Sequence, residues 1–496
     1  PYATGYIHMG TALNKIIKDF YLRFYRLKGY DVWDRPGYDT HGLPIEYQVE
    51  KKLGFRSKKD IENFGVDKFI EECKKFATQF INVQSEQFKN LGCWMDWENP
   101  YLTLTNEYIE NAWLTFKKGF EKGFLYKGFY PVHVCTRCET VLAYNEIEYE
   151  NLTDPAIYVK FKIKDSNDYL IVYTTTPWTL FDNVAIMIHP EEKYVKVKIN
   201  ENENWIFAKA RLEELSKKFN VEANIIEEFE GKKLVGKKYE HPLSDLLSHV
   251  KDTSNLYVIV ASGKYVNVQE GTGLVHCAPA HGKEDFEVCK ENNLPIINCI
   301  AFDGKFELEI FKGIYVRDCN EKIIEILQER NVLVKKEKIT HSYPICWRCK
   351  TPLIINVSEQ WFFAVEKIRD KLLSENEKIN WIPEFAKDRM KDWILNLGDW
   401  PISRQRYWGI PLTIWICENC KNIKVIGSKK ELKKDLQDLH KPYIDEITFK
   451  CEKCGAEMKR VKEVLDVWFD SGVAPWASLD IIRNKRLVKK LWPVDF

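Results

Sequence analysis

Gly5-Tyr6-Ile7-His8-Met9-Gly10-Thr11-Ala12-Leu13, running on past Gly29 into Tyr30-Asp31-Val32-Trp33, is the stretch whose reading decides the fold. From His8 onward Met9, Leu13, Ile16, Phe20, Phe24 and Leu27 recur at helical spacing, which predicts an amphipathic helix that Gly29 ends. A loop, a helix and then the β-type run Tyr30 to Trp33 make half of a nucleotide-binding α/β unit. The N-terminus of such a helix offers unpaired N–H groups and partial positive charge, and Gly10 lets a ligand approach the backbone closely. A second long helix is expected from about Asp67 to Leu91, with Phe69, Cys73, Phe76, Phe80 and Val83 on one face.

The rest of the chain sets bounds around that unit. With 496 residues, 45% of them hydrophobic and 30% charged, it has enough length for several cores and should divide into two or more domains. Lys and Arg number 74 against 73 Asp and Glu, a net charge of +1, so a polyanionic partner has to be held by local patches. No apolar run reaches the roughly 18 residues of a membrane span, and no secretory signal opens the chain, so the expected location is the cytoplasm, with no membrane partner. The chain starts at Pro1 and stops after Leu491-Trp492-Pro493-Val494, and both ends are expected to be cut from something longer.

Eight of the 14 cysteines fall into C-x-x-C pairs: Cys135/Cys138, Cys346/Cys349, Cys417/Cys420 and Cys451/Cys454. Such a turn converges two thiolates on one tetrahedral ion, and two turns complete a structural zinc shell, so two Zn²⁺ ions are expected. Cys417/Cys420 and Cys451/Cys454, separated by short polar and β-type stretches, have the layout of a zinc ribbon. If Cys135/Cys138 and Cys346/Cys349 share an ion, the long segment between them is an insertion clipped at its neck. That segment is strand-rich between about Leu152 and Thr340, with runs at Ala156 to Ile163, Tyr169 to Thr175, Tyr194 to Ile199, Tyr257 to Ala261 and Gly273 to Cys277. Helical patterning returns at Gln360 to Leu373 and Phe385 to Leu397.

Several segments together resemble the class I aminoacyl-tRNA synthetases of the isoleucyl, valyl and leucyl subgroup, the isoleucyl branch above all. His8-Met9-Gly10-Thr11 is similar to the class signature His-Ile-Gly-His, with Thr11 in place of the second histidine. Gly37-Tyr38-Asp39-Thr40-His41-Gly42-Leu43-Pro44-Ile45-Glu46 is the more specific stretch. Ser403-Arg404-Gln405-Arg406-Tyr407-Trp408-Gly409-Ile410-Pro411 and Asp466-Val467-Trp468-Phe469-Asp470-Ser471-Gly472 are typical of the subgroup. Within the insertion, Thr174-Thr175-Thr176-Pro177-Trp178-Thr179 and the run Gly271 to Phe286, with His276 and Asp285, resemble the two halves of the family's editing pocket.

The resemblance implies an α/β fold: an incomplete Rossmann-like catalytic domain with an inserted β-rich editing domain and zinc modules. It implies catalytic segments at 1–134, 361–416 and 463–496, zinc-neck strands at 135–151 and 341–360, the editing insertion at 152–340 and the zinc ribbon at 417–462. The activity it implies is ATP-dependent attachment of isoleucine to tRNA(Ile), with Mg²⁺ accompanying ATP, through an isoleucyl-adenylate, by a monomer. His8, Gly10 and Thr11 would serve ATP, Asp39 would hold the substrate ammonium, and Trp468 would wall the side-chain pocket. Thr174, Thr175, Thr176, His276 and Asp285 would form the site that hydrolyses valine misattached to tRNA, a need that follows from the small free-energy difference of one methylene. A valyl enzyme and a stand-alone tRNA deacylase are the competing expectations. The second ATP motif Lys-Met-Ser-Lys-Ser, the Gly-x-Asp-Gln segment and an anticodon-binding domain do not occur in these residues, as a fragment lacking the C-terminal part requires.

Overall fold

The computed structural model describes residues 1–252 and 254–494. The chain divides into two units, one of Pro1–Gly128, Arg137–Ala143 and Gln360–Phe496, the other of Phe129–Thr136 and Tyr144–Glu359.

In the first unit the opening helix spans Met9–Leu27, as its periodicity requires, but it is turned the other way round. Met9, Leu13, Phe20 and Leu27 are exposed, and the buried residues are Ala12, Lys15 and Asp19. The polar stripe is drawn inward because Asp19 accepts from the Trp94 N–H at 2.6 Å and from Arg23 Nε at 2.6 Å, while Lys15 lies over the Phe88 ring. The β-type run Tyr30 to Trp33 forms no strand; Tyr30 and Trp33 stay exposed and have no neighbouring strand to pair with among the described residues. The strand begins later, at Gly37–Tyr38, in parallel register with Tyr101–Leu102.

Behind that pair, the helices Leu43–Leu53 and Val66–Asn90 pack Ile45, Val49, Phe69, Ile70 and Phe88 around Tyr38, Trp97 and Trp408. A second core joins the helix Asn106–Glu121, through Trp113 and Phe116, to Trp415, Phe449 and Met458 of a small four-stranded sheet. That sheet orders Ile423–Val425, Ile414–Cys417, Glu457–Arg460 and Phe449–Lys450, with both cysteine pairs at its turns. The segment expected to be helical from Gln360 begins as strand: Ile354–Phe363 is extended and Phe362 pairs with Pro401, so helix starts only at Arg369–Asn376. Phe385–Asn396 is helical as expected.

The second unit is built on a ten-stranded sheet. Its long antiparallel pair, Ile147–Ile163 and Leu333–Cys346, carries the chain in and out. Asp168–Thr174 lies between Ile147–Ile163 and Leu274–Cys277, and the latter also pairs antiparallel with Ala185–Ile188. This order sets Thr174, the first residue of the threonine run, in the strand beside the one that carries His276.

Candidate active sites and metal centres

In the first unit His8 caps the helix Met9–Leu27. Its Nδ1 accepts from the N–H groups of Gly10 at 3.1 Å and Thr11 at 3.4 Å. An accepting Nδ1 places the ring proton on Nε2, which is left as a donor pointing away from the cap. The Thr11 hydroxyl closes the reciprocal half of the capping box, accepting from His8 N at 2.9 Å and donating to His8 O at 2.8 Å. Gly10 is confined by this arrangement, since a Cβ there would stand 3.1 Å from the His8 ring.

The chain that leads to His8 is tied to the Asp39 loop. Ala3 N donates to Asp39 O at 3.0 Å, and Gln84 Nε2 donates to the carbonyls of Tyr2 and Gly5, each at 2.8 Å. Asp39 Oδ1 accepts from Ser471 Oγ at 3.2 Å, and burial raises its carboxyl above the ordinary aspartate range. Gly42, at φ 79°, lies where a Cβ would come within 2.9 Å of Val467 Cβ, so only glycine allows the two motifs to meet this closely. Trp468 follows Val467 in a short helix capped by Asp466, whose Oδ1 accepts from Trp468 N at 3.0 Å. Asp466 Oδ2 is held in turn by Arg404 at 2.6 Å and by Trp400 Nε1 at 2.7 Å. The Trp468 side chain is 39% exposed, an apolar surface facing solvent.

Two buried networks lock these loops together. Glu46 accepts from Tyr407 N at 2.9 Å and from Trp408 N, and its other oxygen pairs with Arg406, which also pairs with Glu50 and donates to Cys138 O at 2.8 Å. The second network is a line of rings and carboxyls. Asp470 Oδ2 lies 2.7 Å from His41 Nδ1, His41 Nε2 lies 2.8 Å from His440 Nε2, and His440 Nδ1 lies 2.6 Å from Asp438 Oδ1. Burial raises the Asp470 carboxyl and lowers both imidazoles, whereas hydrogen bonds from His440 and Lys74 outweigh burial at Asp438 and lower it. One proton pattern satisfies all three contacts: a protonated Asp470 donates to His41, His41 donates to His440, and His440 donates to an ionised Asp438.

In the second unit the threonines form a directed run of hydroxyls. Thr179 Oγ1 donates to Thr176 O at 2.8 Å, so at its 3.1 Å contact with Thr176 Oγ1 it is the acceptor, and Thr176 Oγ1 lies 3.3 Å from Thr174 Oγ1. His276 Nε2 reaches the same Thr179 oxygen at 3.0 Å, and its Nδ1 faces Asn183 Nδ2 at 3.4 Å. Burial pushes His276 down to about 4, so the ring is neutral at physiological pH and donates from Nε2. Thr175 is half-buried at the end of the strand Asp168–Thr174. Asp285 sits in the first turn of Lys283–Glu291, where Oδ2 accepts from Ala278 N at 2.8 Å. Burial pushes its carboxyl up to about 7.

The cysteine pairs gather as donors. Cys417, Cys420, Cys451 and Cys454 bring their sulfurs within 4.8 Å of one another, with Cys417 to Cys454 at 3.4 Å and Cys420 to Cys451 at 3.5 Å. In the second unit Cys135, Cys346 and Cys349 also fall within 4.8 Å, with Cys135 to Cys349 at 3.4 Å; Cys138 follows Cys135 on the same C-x-x-C turn. Four convergent sulfurs are the donor set of a metal shell. Residues with no role in the sequence reading also enter: Ser471, Thr179 and Asn183 lie within or beside the quoted motifs, whereas His440 carries no local motif and is visible through its contact with His41 and its stacking on Trp408, with ring centroids 4.5 Å apart.

The family model for class I tRNA synthetases (I, L, M and V) matches residues 1–496. The isoleucine–tRNA ligase of Pyrococcus furiosus is 48% identical over 538 aligned positions, taking in 100% of this chain and 50% of that protein. That of Sulfolobus acidocaldarius is 48% identical over 507, taking in 100% and 48%. The chain thus spans about half the length of the curated relatives it matches. Among solved structures, a ternary complex of Agrobacterium radiobacter K84 agnB2 LeuRS with tRNA and LeuAMS aligns at 17% identity and a TM-score of 0.39, over 97% of this chain and 55% of that one. No helix among the described residues is long and apolar enough to cross a membrane. With its whole length matched by the family model and curated relatives 48% identical along it, the chain belongs to the class I tRNA synthetases.

Proposed function

We propose that this chain carries catalytic and editing parts of an enzyme that joins isoleucine to tRNA(Ile) with ATP and Mg²⁺ and hydrolyses valine misattached to that tRNA. The observation that carries this reading is the 48% identity to isoleucine–tRNA ligases along the entire chain. The geometry agrees with it. His8 donates from Nε2 toward a phosphate oxygen, and because its Nδ1 accepts two helix N–H groups, it passes the helix's partial positive charge outward. Thr11 positions His8 and spends its hydroxyl in doing so. Asp39, enclosed and held by Ser471, gains a partner when the substrate ammonium arrives, and Trp468 gives the aliphatic side chain an apolar wall.

In the second unit, the segment 152–340 serves as the editing insertion. The hydroxyls of Thr174, Thr175 and Thr176 offer donors and acceptors to an ester and its attacking water. His276 narrows the side-chain pocket as a neutral ring, and Asp285 binds the α-ammonium. The two sulfur tetrads hold structural zinc, Cys138 supplying the fourth ligand at the neck of the insertion. The protein works as a monomer in the cytoplasm. The test is amino-acid-dependent ATP–pyrophosphate exchange and tRNA charging by the full-length protein. Isoleucine should be the preferred substrate, with valine activated about 10- to 200-fold less efficiently, as one methylene allows. Equal or better activation of valine would discard the isoleucyl assignment.

A further inference from the structure

Asp182 ends the short helical turn Pro177–Asp182 that follows the threonine run, and its side chain has no solvent exposure. Its Oδ2 accepts from Cys299 N at 3.1 Å and His281 Nε2 at 2.8 Å, and Cys299 Sγ lies 3.3 Å away. Its Oδ1 has no hydrogen-bond partner. His249 Nε2 faces that oxygen at 3.4 Å, an ion-pair distance without hydrogen-bond geometry, and both ring nitrogens of His249 are buried without a hydrogen bond. Asp182 Oδ1 and His249 Nε2, two buried polar atoms 3.4 Å apart with no hydrogen bond of their own, leave room for a ligand that satisfies both, because such groups are satisfied in nearly all native proteins.

The donor atoms of Asp182, His249 and Cys299 all lie within 4.8 Å of one another. A tetrahedral ion with bonds of about 2.0–2.3 Å keeps its ligand atoms about 3.3–3.8 Å apart, which the 3.4 Å between Asp182 Oδ1 and His249 Nε2 matches, while Cys299 Sγ stands 3.3 Å from the other oxygen of the same carboxylate. We propose that Asp182, His249 and Cys299 form a third metal site, taking a zinc-type divalent cation that binds Oδ1, Nε2 and Sγ.

The donor set argues for the metal class. Carboxylate, imidazole and thiol together suit zinc, whereas Mg²⁺ and Ca²⁺ call for oxygens. Asp182 pairs with no Lys or Arg among the described residues; the side chains paired with it are His249 and His281. On binding, the Cys299 thiol proton passes to solvent and the thiolate takes its place in the shell. His281 is the supporting group: Nε2 holds the second oxygen of Asp182, while Nδ1 faces the Ile355 carbonyl at 3.1 Å and the Trp178 ring packs against it. The His249 side chain is 19% exposed, which gives a fourth, water ligand a path to the ion. The ion ties three distant chain segments at the end of the turn Pro177–Asp182, which also carries Thr179.

The test is zinc content. Full-length protein is loaded with zinc alone and desalted, and metal per chain is compared among wild type, His249→Gln and Cys299→Ser. Each variant should hold one equivalent less than wild type, a difference that does not depend on whether the sulfur tetrads fill. Equal content in wild type and a folded His249→Gln overturns the site. Should a variant fail to fold, wild type decides once thiol titration shows the eight C-x-x-C cysteines all protected: three equivalents then support the site and two overturn it.

Discussion

In the proposed editing role, Asp285 is a single carboxyl prepared for a cation. Its carboxyl titrates near 7, not near 4, because burial penalises the charge. A folded-state value above the unfolded one stabilises the unit at low pH, and that contribution is lost as pH rises through about 7. The ionised form is therefore the costly one, and an arriving ammonium relieves it. Editing kcat/KM should accordingly rise between pH 6 and 8. Asp285→Asn keeps an oxygen for Ala278 N but removes the charge, so it should raise KM for valine-charged tRNA at least tenfold and flatten the pH profile without lowering the unfolding temperature. Undiminished deacylation by the variant would remove Asp285 from the site. The same economy of protons runs through Asp470, His41, His440 and Asp438, where one hydrogen pattern satisfies every contact. Of these, His41 and Asp470 lie in recognisable motifs; His440 does not, because what gives it meaning is a ring stacked on Trp408 from a distant part of the chain.

At the level of elements, the ion pairs of Arg406 with Glu46 and Glu50 fasten the Ser403 to Pro411 segment to the helix Leu43–Leu53 that follows the Asp39 loop. Removing the guanidinium leaves the fully buried Glu46 carboxylate without its arginine, while Glu50 keeps Arg137. Arg406→Ala should therefore cost about 3–5 kcal/mol in urea unfolding, and Arg406→Lys, which keeps charge but not the planar fork, should cost less. A loss under 1 kcal/mol for the alanine variant would mean that the pairs are dispensable. Element positions were largely legible in sequence: the helices near Met9, Val66 and Phe385 and the strands near Ala156, Tyr169, Tyr194, Val258 and Leu274 follow from periodicity and β-propensity. What escaped was set by partners far along the chain. Tyr30 to Trp33 has strand-forming residues but no strand beside it among the described residues, and Gln360 to Phe363 has helical spacing but is strand, with Phe362 and Phe363 paired to Pro401 and Trp400. The motifs of both candidate sites were readable as strings; the Glu46–Arg406 pairing and the Thr179–His276 contact required the fold.

Across the whole molecule, five of the ten histidines are held below their ordinary value, mainly by burial: His41, His133, His241, His276 and His440. An imidazole kept neutral in the fold but free to charge when unfolded contributes stability above about 6.5, and that contribution fades as pH falls toward the folded value. In the second unit His133 and His276 reach about 4 and His241 about 3, against one opposing carboxyl, Asp285. Stability should fall steadily between pH 6.5 and 4.5, read as a declining urea midpoint. A flat midpoint over that range would contradict the burial of these rings.

The inverted helix Met9–Leu27 has a practical consequence. Met9, Leu13, Ile16, Phe20, Phe24 and Leu27 form an adhesive strip along a folded, well-packed protein. Ammonium sulfate sharpens the avoidance of water by such surface, so the native chain should be retained on a phenyl resin at salt levels where proteins of equal size pass through. Charged replacements at Leu13 and Phe20 should release it at lower salt while leaving the helix intact.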